Sequence, residues 1–224
     1  MSKTLHLHYP AEYKTDEWRH NRLKVIARCL NSLVLEGLLL DIGCNDCSIT
    51  RFLPVGDYHY FGIDLSLTAL KEGAPHARIQ GDACLLPLRD GVVDTVICSE
   101  VIEHLEDPNQ LIEEIARVLK LQGKLVISTP NRKSVFLQVQ KSLHMPKLHD
   151  WKYVASHFQA FSPPELDCLL KEHGFTIKKK AKSVAFPPFR FTKKHYPFKI
   201  LRAISKAIPE DSQELLIRVA VKAG

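Results

Sequence analysis

Long apolar runs are missing from this chain. The longest clean one, Leu38 to Leu40 followed by Ile42, falls far short of the roughly 18 residues that span a bilayer. A secretory apolar core is missing too, because residues 1–30 interleave His6, His8, Glu12, Asp16 and Arg19. Six unevenly spaced cysteines in 224 residues make no disulfide framework, so a reducing, cytoplasmic setting is expected. Internal repeats and low-complexity linkers are also lacking, which leaves one domain over residues 1–224. Acidic residues disappear between Glu172 and Glu210, where ten Lys/Arg occur.

What is present is ordinary globular composition, 45% apolar and 25% charged, which excludes disorder, collagen and bare coiled coil. The net charge of +6 is polarised. Residues 1–130 hold 13 Lys/Arg against 18 Asp/Glu, a net −5, and residues 131–224 hold 18 against 7, a net +11. Such asymmetry suits an anionic partner on the C-terminal side, and equally a solvated basic face.

Apolar runs rich in β-branched residues alternate with helical periodicity, the pattern of parallel βαβ units. A helix is expected over Asp16–Leu35. Strands are expected at Leu38–Gly43, Tyr58–Asp64, Ala77–Asp82, Val92–Ser99 and Lys124–Ser128. A further helix is expected over Pro108–Leu121, capped by Asp107, with Leu111, Ile112, Ile115, Val118 and Leu119 on one face. After a long connection over 132–160, Ser162 and Glu165 form a capping box, flanked by the staple pair Phe161 and Leu166. That helix ends at His173-Gly174. Strands at Phe175–Ser183 and Glu214–Lys222 follow, separated by a basic, Pro/Phe-rich insertion.

The stretch Leu39–Ser48 ends a buried strand and opens a helix, the place where doubly wound sheets bind ligands. Asp64 ends the second strand 21 residues after Gly43, close to the spacing of about 20 expected for a ribose-binding carboxylate. Nicotinamide and adenosyl-cofactor sites look alike to this point. Two features separate them. Asp41 precedes the glycine, where it holds an ammonium group better than a pyrophosphate, and Asn45 and Cys47 stand where a pyrophosphate fingerprint needs glycine.

On these residues the chain resembles the class I S-adenosylmethionine-dependent methyltransferases, most of all the ubiquinone-biosynthesis O-methyltransferase group. The resemblance is carried by Asp41-Ile42-Gly43-Cys44, Asp64-Leu65, Gly81-Asp82-Ala83, Cys98-Ser99-Glu100-Val101-Ile102-Glu103-His104-Leu105, Ser128–Arg132 and His157-Phe158. It implies an α/β, Rossmann-like, doubly wound seven-stranded sheet with helices on both faces and the last strand antiparallel. It implies S-adenosyl-L-methionine as cofactor, with Asp41, Gly43 and Cys44 near the methionine part, Asp64 and Leu65 at the ribose, and Asp82 and Ala83 beside the adenine. Cys98 and Ser99 complete that set. Residues 1–36 then form an N-terminal helical segment, and 132–160 and 184–212 are acceptor-side insertions. The family's D-x-G-x-G-x-G is not complete here. Asn45 tolerates a left-handed backbone, whereas Cys47 adds a side chain expected to crowd the methionine tail.

Glu100, Glu103 and His104 follow the fourth strand as E-x-x-E-H, which on one helical turn puts all three on one face. Such a set suits Mg²⁺ or another divalent ion that polarises an acceptor hydroxyl; capping or packing by the histidine is the competing reading. His157 and His149, on the connection that by resemblance passes over the acceptor, are candidate bases, with Glu100 the third catalytic candidate. Cys44 and Cys47 also read as a redox C-x-x-C.

The expected function is methyl transfer to a hydroxyl of a small or lipid-like acceptor. The segment Pro197–Ile208 has a basic amphipathic pattern that suits either peripheral contact with an anionic membrane or a lid packed on the sheet. Two alternatives stay open: a metal-dependent RNA 2′-O-methyltransferase or nucleic-acid-binding protein using the aromatic-studded basic half, and a cofactor-binding scaffold without activity.

Overall fold

A computed structural model of the chain describes residues 17–73, 76–135, 138, 142, 158–183, 208–213 and 215–224. Its strands are β1 (Glu36–Ile42), β2 (Asp57–Asp64), β3 (Ala77–Gln80), β4 (Val93–Ser99), β5 (Leu119–Pro130), β6 (Phe175–Lys180) and β7 (Leu215–Lys222). Its α-helices are α1 (Glu17–Leu30), α2 (Leu67–Glu72), α3 (Pro108–Val118) and α4 (Pro163–Glu172). The strands form one sheet in the order β3-β2-β1-β4-β5-β7-β6. Only β7 runs against the rest, pairing antiparallel with both β5 and β6. The chain turns from β1 outward to β3, then returns to β4 on the other side of β1. That reversal opens a crevice at the carboxyl ends of β1 and β4.

Side-chain alternation along the strands divides the core in two. On one face Leu40, Ile42, Val96, Cys98, Leu125 and Ile127 pack with Leu111, Ile112, Ile115 and Val118 of α3 and with Leu166, Leu169 and Leu170 of α4. On the other, Leu39, Ile97, Val126, Ile217 and Val219 meet Val25, Ile26, Cys29 and Leu30 of α1. Central strands covered on both sides must be apolar at nearly every position, which is why β4 reads as a near-continuous hydrophobic run.

The caps form as the sequence predicts. The Asp107 side chain accepts from Asn109 N–H at 2.9 Å, and Ser162 N–H donates to Glu165 Oε2 at 2.8 Å within a full capping box. Phe161 and Leu166 are both buried. Helix α1 stops at Leu30 and β6 at Lys180, short of the expected Leu35 and Ser183, and three further details depart from expectation. Instead of an α-helix after β1 there is a short 3₁₀ helix, Ser48–Phe52, because its entry residue Cys47 is left-handed and Pro54 follows two residues beyond its end. The helix expected to reach Leu121 stops at Val118, where Leu119 pairs with Val93. A left-handed Gln122 (φ 62°) and Gly123 then bend the strand, and a side chain on Gly123 would meet Lys120 O at 2.8 Å. Helix α2, capped by Ser66 Oγ accepting from Ala69 N–H at 3.3 Å, has no counterpart in the sequence reading.

Beneath β7 lies a charged strut. Arg218 is completely buried and donates to Asp167 Oδ1 at 2.5 Å and Asp211 Oδ1 at 2.7 Å. Lys180 closes on the same two carboxylates at 2.7 Å each. No helix among the described residues is long and apolar enough to cross a membrane. His149, His157 and residues 197–207 of the basic amphipathic segment lie outside the described residues.

Candidate active site

The loop after β1 is wound by three left-handed residues, Gly43 (φ 71°), Asn45 (φ 50°) and Cys47 (φ 57°). Gly43 has no substitute, since a Cβ there would stand 2.3 Å from Val101 Cγ2. Asparagine is the residue that most readily replaces glycine in this conformation. Both ends of the loop are tied to β2: Gly43 N–H and Cys44 N–H donate to Ile63 O at 2.8 and 3.1 Å, and Asn45 N–H donates to Asp64 Oδ2 at 2.7 Å. Asp64 Oδ1 accepts from Ser66 N–H at 2.8 Å. Burial raises the Asp64 carboxyl above its ordinary range, opposed by those two N–H groups. Each carboxylate oxygen offers a further lone pair, so Asp64 can brace the loop and still accept from a diol.

A cleft open to solvent lies over this loop. It is lined by Arg22, Leu23, Asp41, Gly43, Cys44, Asn45, Ser48, Ile49, Ile97, Ser99 and Glu100. Asp41 shares the α1 face with Leu39 by alternation, is nearly fully buried, and accepts from the Tyr60 hydroxyl at 2.6 Å. Burial raises its carboxyl to about 7, against the lowering effect of that hydroxyl. A ligand ammonium beside it would restore the charged form. Arg22 of α1 enters from the opposite side in sequence and pairs with Glu100 at 2.6 Å, both side chains largely buried. Nothing in the local sequence signals Arg22; only the packing of α1 on the sheet brings it to the cleft. Tyr60 was equally silent.

Glu100 is itself left-handed (φ 58°). Its backbone N–H reaches Ser128 O at 3.0 Å, and its Oε1 accepts from Ser128 Oγ at 3.0 Å. Ser99 and Ser128 share a hydroxyl contact at 2.9 Å.

The expected metal face does not form. The turn after Glu100 is a 3₁₀ helix of only three residues, Ile102–His104. Glu100 lies outside it, engaged by Arg22. Glu103 turns into the core, where its Oε2 accepts from Thr129 Oγ1 at 3.1 Å, and burial drives its carboxyl far up, toward the neutral form. Among the described residues no group of three such side chains is arranged to hold a metal ion. Glu100 and Glu103, so engaged, do not fit a shared divalent ion.

Other expected positions divide between the cleft and its surroundings. Asp41, Gly43, Cys44, Ser99 and Glu100 line the cleft directly. Asp64 ends the neighbouring strand with Leu65 just beyond it, and Gly81 N–H donates to Asp64 O at 3.0 Å, bringing the Asp82-Ala83 turn alongside. Asp82 Oδ1 accepts from Cys84 N–H at 2.9 Å. Cys98 is fully buried on the far face, in the core with Leu40 and Ile42, so its side chain is turned from the cleft. Cys47 does not crowd the cleft either. It is fully buried and packs beneath the loop with Cys44, Leu70 and Tyr60. The chain next to His157 is anchored: Phe158 N–H donates to Glu103 O at 2.9 Å, and Gln159 Nε2 to Leu105 O at 2.8 Å.

Residues 40–127 match the methyltransferase domain family. The ubiquinone biosynthesis O-methyltransferase of Caulobacter vibrioides is 32% identical over 60% of this chain and 58% of its own length. That of Alkalilimnicola ehrlichii is 28% identical over 70% of this chain and 67% of its own. The chain therefore spans no more than about two thirds of either relative. In fold it is similar to a Thermotoga maritima SAM-dependent methyltransferase described as a possible histamine N-methyltransferase, with TM-score 0.64, 19% identity and coverage of 94% of both chains. It is likewise similar to an Archaeoglobus fulgidus SAM-dependent methyltransferase, with TM-score 0.62, 19% identity, and coverage of 96% of this chain and 100% of that one.

Proposed function

We propose that this chain, which belongs to the class I S-adenosylmethionine-dependent methyltransferases, transfers a methyl group to an oxygen of a small or lipid-like acceptor. One observation carries the reading: at the carboxyl ends of β1 and β4 a single cleft gathers a buried acid, a buried arginine and a left-handed loop bonded to Asp64. That donor set fits S-adenosylmethionine. Asp41 would face the ammonium, Arg22 would offer the cationic wall to the carboxylate, and Asp64 would accept from the ribose hydroxyls. When bound, the cofactor supplies an electrophilic methyl on a sulfonium.

The chain's own contribution is placement and exclusion of water, which together account for most of the rate in such transfers. Glu100, fixed by Arg22 and Ser128, is a rigid acid at the cleft wall. His157 is our preferred base for an acceptor hydroxyl and His149 the second; the Phe158 anchor on Glu103 supports the first choice. The oxygen acceptor is drawn from the named activity of the ubiquinone biosynthesis O-methyltransferases. A cytoplasmic enzyme with ten Lys/Arg and no acid between Glu172 and Glu210 is suited to reach a lipid-like acceptor at an anionic membrane.

The test uses methyl-labelled S-adenosylmethionine with a hydroxyl-bearing aromatic lipid in anionic vesicles, with short RNA, and with no acceptor. Label in the lipid is the expected outcome. Label in RNA instead would move the activity to a 2′-hydroxyl. Tight S-adenosylhomocysteine binding with label in neither would leave a scaffold.

A further inference from the structure

Cys44 and Cys47 have a spatial relation that the cofactor site does not use. Both are free thiols. Cys47 N–H donates to Cys44 O at 2.8 Å, closing a turn. Residues so related have Cα atoms within about 7 Å, near the roughly 4.4–6.8 Å that a disulfide bridges. Their sulfurs also share one niche. A methyl group built on Gly62 would meet Cys44 Sγ at 2.7 Å and Cys47 Sγ at 3.4 Å. Gly62 is not among the residues with positive φ, so its missing side chain serves space rather than backbone shape: it leaves room for two sulfurs. Tyr60 and Leu70 close the niche from the sides.

We propose that Cys44 and Cys47 are an oxidation site, joined reversibly into a disulfide by peroxide, and that this closure withdraws the cleft from its cofactor. The first half stands on the geometry of the pair. The second rests on the cofactor reading above.

The route of attack follows from exposure. Both side chains are buried, Cys44 at 6% and Cys47 at 0% exposure, but Cys44 lines the cleft, so a small oxidant entering the cleft meets Cys44 first. Contact with the Cys44 thiol pulls the Cys47 pKa down to about 7, while that same contact and burial push the Cys44 thiol far above its ordinary value. Thiols in such contact titrate as a pair, and the one proton easily lost leaves its charge on Cys47. The Cys44 proton passes to the Cys47 thiolate as the Cys44 sulfur attacks one peroxide oxygen, and the O–O bond breaks. The departing hydroxide takes the Cys47 proton and leaves as water. The Cys47 thiolate then attacks the Cys44 sulfenic sulfur and expels a second hydroxide, which takes up the proton first released. Two thiols and one peroxide become one disulfide and two waters.

The consequence lies between the two cysteines. Asn45 N–H is the loop's bond to Asp64, and the left-handed torsions of Asn45 and Cys47 set its direction. A disulfide fixes the two Cβ atoms at about 3.8 Å and so constrains the torsions that aim Asn45 N–H; the expected result of closure is an N–H turned away from Asp64. A cofactor already seated over Cys44 shields it.

The full chain is treated with hydrogen peroxide, with and without saturating S-adenosylhomocysteine, and followed by peptide mass mapping and calorimetry. Expected are loss of two hydrogens from the peptide holding Cys44 and Cys47, slowing by the ligand, reversal by dithiothreitol, and a drop of about tenfold or more in ligand affinity. Cys47→Ser and Cys47→Ala should bind the ligand when reduced and keep their affinity through peroxide. Oxidation confined to Cys168, over-oxidation of Cys44 without a disulfide, or a disulfide that leaves affinity unchanged would overturn the proposal. Reduced wild-type protein that fails to bind S-adenosylhomocysteine would instead refute the cofactor reading, while the mass map still judges the disulfide.

Discussion

Replacing Asp64 by alanine removes a group with two separable duties. In the free protein its carboxylate accepts from Asn45 N–H at 2.7 Å and Ser66 N–H at 2.8 Å. Both donors are half-buried, so water replaces the lost acceptors only in part, at a cost of about 1 kcal/mol each. The melting temperature should fall by roughly 4–8 °C in a chain of this size. In the complex the variant also loses the ribose contact, a charge-assisted interaction of about 1.5–3 kcal/mol. S-adenosylhomocysteine should therefore bind about 10- to 150-fold more weakly. Calorimetry with the 2′-deoxy ligand separates the duties: the missing hydroxyl should weaken binding to the wild type and leave Asp64→Ala indifferent. Unchanged affinity in the variant, or equal losses for the deoxy ligand in both proteins, would refute the placement of the ribose at Asp64.

Asp41 carries a pH prediction. Its folded pKa is raised to about 7, above the unfolded value of about 3.9, so between those values the native state keeps a proton that the unfolded chain has lost. Stability from this group is greatest at the acid end, falls as pH rises toward 7 and is level beyond. Urea melts of wild type minus Asp41→Asn should show that slope, and ligand affinity should rise through pH 7 in the wild type only; parallel curves would refute it. Arg218→Ala leaves Lys180 as the remaining counter-charge for Asp167 and Asp211 and should cost at most about 3–5 kcal/mol; a thermal melt within a degree or so of wild type would refute the strut. Methyl transfer should survive chelation and dialysis, because Glu103 is held by Thr129 inside the core; turnover lost and restored by Mg²⁺ would refute that.

Features that depend on neighbours in the chain were legible in advance. Asp107 ahead of Pro108, Ser162 three residues before Glu165, and the apolar runs of β1 and β4 each carry their structure in adjacent side chains and hydrogen bonds. The loop at Gly43 and the strand-end Asp64 were readable for the same reason. The short helix after Cys47 was not, since it depends on a left-handed residue that only the tie to β2 stabilises. Nor was the fate of Glu103, because a three-residue turn and a seven-residue helix look alike over E-x-x-E-H.

Local periodicity and composition dictate the alternation of strands and helices, the chemistry available at each strand end and the polarity of charge along the chain. Tertiary structure decided which of those groups meet. Insertion of β7 between β5 and β6 puts Arg218 where burial requires paired carboxylates. Packing of α1 on the sheet carries Arg22 to Glu100, and the pleat turns Cys98 into one core and Asp41 toward the cleft. A carboxyl pushed to about 7 at Asp41 and two sulfurs gathered over Gly62 arise from exclusion of water and from contacts between distant segments, which the order of residues does not state.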